Sequence, residues 1–147
     1  MSTIKFITLC VLLLPLISFG QNVNIKLNCQ LSLTRTFNDG KKDNETINEI
    51  FEIYQNGKFL SIIPGSDNLQ GLTTQKFPTT ISIMNFSDEN KWGLQSKSKN
   101  NNEWLDITVS IDRNTGRISY RQDYQKGLII TDGQGNCKKV DTTKRLF

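Results

Sequence analysis

The sequence predicts an all-β fold, a single small antiparallel barrel or closed meander of about eight strands following an N-terminal signal peptide. Three observations predict it. Apolar and polar residues alternate at the two-residue period of a half-buried strand in several stretches, clusters of Gly, Asn and Asp separate them, and no long helical period follows the opening residues. The clearest stretch runs from Trp104 to Tyr124, where Leu105, Ile107, Val109 and Ile111 alternate with Asp106, Thr108, Ser110 and Asp112. It then meets Asp112-Arg113-Asn114-Thr115-Gly116 and resumes at Ile118 and Tyr120. Asp and Asn side chains accept from nearby backbone N–H groups, and Gly116 can take positive φ without a Cβ penalty, so the stretch reads as a β-hairpin.

Residues 1–20 carry one charge, Lys5, then an apolar run from Ile7 to Leu14, and end in Ser18-Phe19-Gly20 before Gln21. This is the pattern of a secretory signal peptide cut after Gly20. The run is short for a bilayer and Pro15 interrupts it, so no membrane span is expected after processing. Residues 21–147 then form one antiparallel β domain of 127 residues, within the usual size of a single domain. Its 17 basic and 14 acidic residues leave a mild positive excess, with no dense Lys/Arg patch of the kind that binds nucleic acid. Discarding Cys10 with the signal leaves one pair, Cys29 and Cys137, in a chain bound for an oxidising compartment, periplasmic or secreted. A disulfide between them is expected.

Along the domain, the odd positions Val23 to Leu33 make a first strand with Cys29 facing the core. Asn38 to Asn44 reads as a polar turn, and Ile47 to Tyr54 as a second strand with apolar residues on both faces. Asn56-Gly57 is a strong hairpin signal, a type I′ turn with positive φ at both residues, leading into Lys58 to Ile63. From Pro64 to Pro78 the periodicity disappears into a long irregular connection. Strands return at Thr79 to Phe86 and Lys91 to Gln95, then the Trp104 hairpin. Gly127 to Thr131 precedes a flexible Asp132-Gly133-Gln134-Gly135 link and a short last strand at Cys137 to Val140. If the first strand neighbours the last, the disulfide staples a closed barrel and removes its open edges.

The chain has no histidine, which excludes Ser-His-Asp and Cys-His pairs and His-containing zinc sites. It has no CxxC, GxSxG, Walker or GxGxxG pattern, so no catalytic centre, metal or cofactor is expected. Carboxylate chemistry remains, through Glu49, Glu52, Asp88, Glu89, Glu103, Asp106, Asp112 and Asp123, most of which fall on solvent faces or turns. A glycan hydrolase would need two of them across a cleft. The candidate binding surface consists of Leu69, Leu72 and Phe77 in the long connection with the aromatic residues Trp92, Trp104 and Tyr124.

The segment Ile107-Thr108-Val109-Ser110-Ile111-Asp112-Arg113-Asn114-Thr115-Gly116-Arg117-Ile118-Ser119-Tyr120 and the later Gly135-Asn136-Cys137-Lys138-Lys139 fit an IDRxTGxxxY hairpin and a GxCxK ending. With the signal peptide they make the chain resemble uncharacterised short exported bacterial proteins, a resemblance that implies a small periplasmic β protein and no particular activity. In size, export, barrel form and cysteine pairing the chain is also similar to periplasmic lysozyme inhibitors, but it lacks their Ser-Gly-containing inhibitory loop. The expected function is a non-enzymatic periplasmic or secreted binding protein acting on an envelope protein or a small ligand. The alternatives are an inhibitor of a cell-wall hydrolase or a carboxylate-dependent glycan hydrolase.

Overall fold

The computed structural model describes residues 23–140. The expected signal peptide lies outside them. Nine strands form one antiparallel sheet: β1 Val23–Phe37, β2 Lys42–Asn56, β3 Phe59–Pro64, β4 Leu72–Thr73, β5 Thr80–Asn85, β6 Lys91–Asn100, β7 Glu103–Asp112, β8 Arg117–Tyr124 and β9 Ile129–Lys139. Their spatial order is β4-β3-β2-β1-β9-β8-β7-β6-β5. The chain therefore starts in mid-sheet, meanders out to one edge, crosses to the other edge and meanders back. Laid flat, nine strands would put those edges about 38 Å apart. The six residues 74–79 that connect them reach only about 25 Å. The sheet must curl, and it forms a half-barrel in which β4 packs against β6.

The core fills the inside of this curl. Leu27, Cys29, Leu31 and Leu33 of β1 share it with Phe51 and Ile53 of β2, Leu60 and Ile62 of β3, Leu94 of β6, and Val109, Ile111, Ile118 and Tyr120 of the β7–β8 hairpin, all buried. Alternation thus placed the right residues inside. Ile50 and Tyr54, on the other face of β2, remain exposed at 46% and 40%, so only one face of that strand is covered.

Cys29 and Cys137 stand opposite each other in the β1–β9 register and are joined by a disulfide, their Cα atoms 3.9 Å apart. The expected neighbours are correct, but the closed barrel is not. β1 and β9 form the central seam between the two meanders, and among the described residues β4 and β5 do not pair and are left as open edges.

Three local expectations change in the structure. The Asn56-Gly57 turn is closed by an Asn56–Phe59 pair, so Gly57 and Lys58 are its central residues, and only Gly57 has positive φ, at 56°. That is the type II′ pattern, with glycine at the first central position. Asp132 to Gly135 is not a flexible link but the middle of one continuous β9. A Cβ at Gly133 would lie 2.7 Å from Leu33 Cδ2, and one at Gly135 would run into the Gln30 carbonyl. Both glycines let neighbouring groups approach the backbone within a strand; they do not mark a break in it. β6 also extends to Asn100, because Lys97, Ser98, Lys99 and Asn100 find partners on β7 that their polar composition does not announce. Gly116 behaves as expected, with φ at 72° and the Asp112 carboxylate accepting from the N–H groups of Asn114 and Thr115 at 2.8 and 2.7 Å.

Among the described residues no helix is long and apolar enough to cross a membrane.

Candidate functional site

The residues proposed for a binding surface do not form one exposed surface. Leu69 and Leu72 are core side chains, each 4% exposed, because the connection after β3 folds back over the open side of the curl. Trp92 is also buried, its indole N–H donating to Gln55 Oε1 at 3.2 Å and the Arg113 guanidinium lying 4.6 Å over its ring. These three therefore cannot form an exposed surface. Phe77 is exposed on the β4–β5 connection, Trp104 is half-buried on the outer face at the start of β7, and Tyr124 is half-buried at the end of β8.

Two inward side chains hold the connection in place. Glu49, 4% exposed, accepts at Oε1 from the N–H groups of Gly65 and Ser66 at 3.0 and 3.1 Å and at Oε2 from the Ser66 hydroxyl. Its inward orientation follows from the odd positions of β2, and the donors of the connection satisfy a carboxylate that forms no ion pair among the described residues. A solvent-face role for Glu49 is thereby corrected. The Tyr120 hydroxyl accepts from the Gln70 N–H at 3.0 Å and donates to Gln122 Oε1 at 2.8 Å.

Burial pushes the Tyr120 hydroxyl up to about 12 from 10.0, against a smaller lowering by the Gln70 N–H. Between these values the folded protein keeps a proton that the unfolded chain releases, so this contribution to stability is complete below about pH 10 and falls away toward pH 12. The loss is on the order of 2–3 kcal/mol. Urea midpoints measured from pH 9 upward are expected to fall more steeply in the native sequence than in Tyr120→Phe; parallel curves would refute this.

On the opposite, outer face lies a trough of about 950 Å³ running across the strands. Strand register builds it. Ser32 of β1 stands between Thr46 of β2 and Gln134 of β9, Gln134 faces Ser119 of β8, and Ser119 faces Ser110 of β7. Alongside this row, Gln30 pairs with Asn136, which pairs with Arg117. Apart from Arg117 every one of these side chains is a neutral amide or hydroxyl. Among the described residues, none of the seven neutral ones is engaged in a side-chain hydrogen bond, whereas neighbouring polar groups are: Thr34 with Asn44, Arg121 with Asp132, and Gln95 with Asp106. Charge is confined to one end, where Lys91, Asp112 and Arg117 line the trough. There the Asp112 carboxylate, engaged by the turn, is held below its usual range chiefly by the Thr115 N–H and then by that of Asn114. Sequence reasoning missed this trough. Each residue has the ordinary signature of an outward strand position, and only the alignment of five strands makes them a site.

A second, smaller cleft of about 310 Å³ surrounds Trp104, whose ring is covered by the Lys99 and Lys126 ammonium groups at 5.0 and 4.5 Å. Asp106 and Asp123, cross-strand partners, line it. Asp123 accepts from the Gly127 N–H at 2.6 Å, and Asp106 is engaged by Gln95 at 3.0 Å and Lys97 at 3.4 Å. Among the described residues no group of three or more His, Cys, Asp or Glu side chains is placed to hold a metal ion.

Fold and surface together define a disulfide-tied antiparallel half-barrel with a neutral polar trough on its outer face. No family model matches the chain, and no curated protein or solved structure matches it significantly.

Proposed function

We propose that the protein is an exported, non-enzymatic binding module that holds a neutral, hydroxyl-rich chain such as a glycan in the outer-face trough. The observation that carries this reading is the set of uncommitted amides and hydroxyls at Gln30, Ser32, Thr46, Ser110, Ser119, Gln134 and Asn136. Such groups both donate and accept, as sugar hydroxyls do, and a neutral lining gives a polyanion nothing to pair with along most of its length. The trough exceeds the volume of one sugar ring, which suits an extended chain. Export is supported by the signal-like opening of the sequence and by the Cys29–Cys137 disulfide, since such bonds persist in oxidising compartments.

Titration with fluorescent neutral oligosaccharides of the chitin and β-glucan types tests the proposal. Binding is expected to weaken at least about tenfold in Ser119→Trp, which fills the trough from an exposed strand position that tolerates an aromatic residue. Failure of every neutral oligosaccharide to bind, or binding indifferent to Ser119→Trp, would overturn it.

A glycan hydrolase is the second reading, favoured by the juxtaposition of Asp106 and Asp123 in the Trp104 cleft. It ranks second because both carboxylates already have partners. Release of reducing ends that disappears in Asp106→Asn and Asp123→Asn would promote it.

A further inference from the structure

The sheet has two edges, and they are finished differently. β4 is two residues long and lies against β6, so little free backbone remains there. β5 is six residues long, Thr80-Ile81-Ser82-Ile83-Met84-Asn85, and among the described residues it pairs only with β6, with no strand on its other side. Natural edge strands are usually protected by charges, proline, a covering segment or a bulge. β5 has no charge and no proline, and its one protective feature is the irregularity between Thr80 and Ser82. Beyond that irregularity Ser82 to Asn85 pair regularly with Lys97 to Leu94. Ile81 and Met84 are 52% and 53% exposed. A run of β-branched and apolar residues with an unpaired backbone is a template for another strand.

We infer that β5 pairs antiparallel with β5 of a second copy, joining two nine-stranded sheets into one. A second copy supplies a strand of the same length and sequence, whose backbone groups are self-complementary in antiparallel pairing. The chain carries a net positive charge, which opposes self-association over most of its surface, but the β5 edge brings no charge opposite itself when two copies meet. Antiparallel pairing is isologous, so the same backbone groups serve both chains across a two-fold axis normal to the sheet. That axis keeps both outer faces on the same side. The dimer would thus present two troughs in one direction, and a long chain held by both would gain avidity. The dimer itself does not depend on the glycan reading.

Sedimentation equilibrium of the processed, disulfide-bonded chain over a wide concentration range tests the pairing. A monomer–dimer equilibrium is expected, weakened at least about tenfold in the double variant Ile81→Lys and Met84→Lys, where like charges face one another across the axis. Both positions are exposed, so near-UV circular dichroism of that variant should match the native spectrum. In amide hydrogen exchange, protection of Thr80 to Asn85 is expected to rise with concentration. A strict monomer, a dimer indifferent to the lysines, or a dimer broken instead by Phe59→Lys on the outer face of β3 would overturn the inference.

Discussion

Replacing both Cys29 and Cys137 by alanine is expected to lower the unfolding free energy by about 5 kcal/mol, the chain-entropy value for a bridge between residues 108 positions apart. The position of the bridge matters as much as the length of the loop it closes. It lies in the β1–β9 pairing, the seam that joins the meander β1–β4 to the meander β5–β9. Without it the unfolded chain recovers its full freedom, and the halves are held by ladder hydrogen bonds and core burial alone. Urea unfolding of the oxidised protein, the reduced protein and the double-alanine variant checks this, with the last two expected to coincide. A loss below about 1 kcal/mol would mean that the denatured chain already keeps its ends together.

The second large effect is expected at Glu49. Substitution by alanine removes the acceptor of the Gly65 and Ser66 N–H groups and of the Ser66 hydroxyl. The Gly65 N–H keeps the Ile50 carbonyl at 2.7 Å, so the two Ser66 donors are the ones left without a partner, at about 1–3 kcal/mol each; a loss of about 2–4 kcal/mol is expected, with faster amide exchange at Ser66. Glu49→Gln separates the causes. It keeps an oxygen for the two N–H groups and presents an amide that the Ser66 hydroxyl can accept from, so its loss should be smaller, about 1–2 kcal/mol. Equal losses in the two variants would show that the negative charge, and not the acceptor geometry, holds the connection.

Three turn carboxyls add a dependence of stability on acid pH. Asp39, Asp88 and Asp112 sit in turns where backbone N–H groups, chiefly those of Lys41, Asn90 and Thr115, hold the carboxyls below the ordinary 3.8. Their contribution is present above that value and is lost as the pH falls through their lowered values.

Much of the architecture was legible in the residues themselves. The odd-position alternation of β1, the Asp112 to Gly116 turn and the Cys29–Cys137 pair each rest on local chemistry: a two-residue period, a positive-φ glycine, and two thiols able to form a disulfide. These determined an all-β antiparallel fold and brought its first strand beside its last. Other features rest on contacts between residues far apart in the chain. Gly133 and Gly135 look like a flexible link until Leu33 and the Gln30 backbone are placed against them. Leu69 and Leu72 look like loop residues until the connection folds over the curl, and Glu49 looks solvated until Gly65 and Ser66 reach it. The trough needs five strands in one register. Alternation states which side of a strand is apolar; it does not state what the other side will face, and only the tertiary structure decided that.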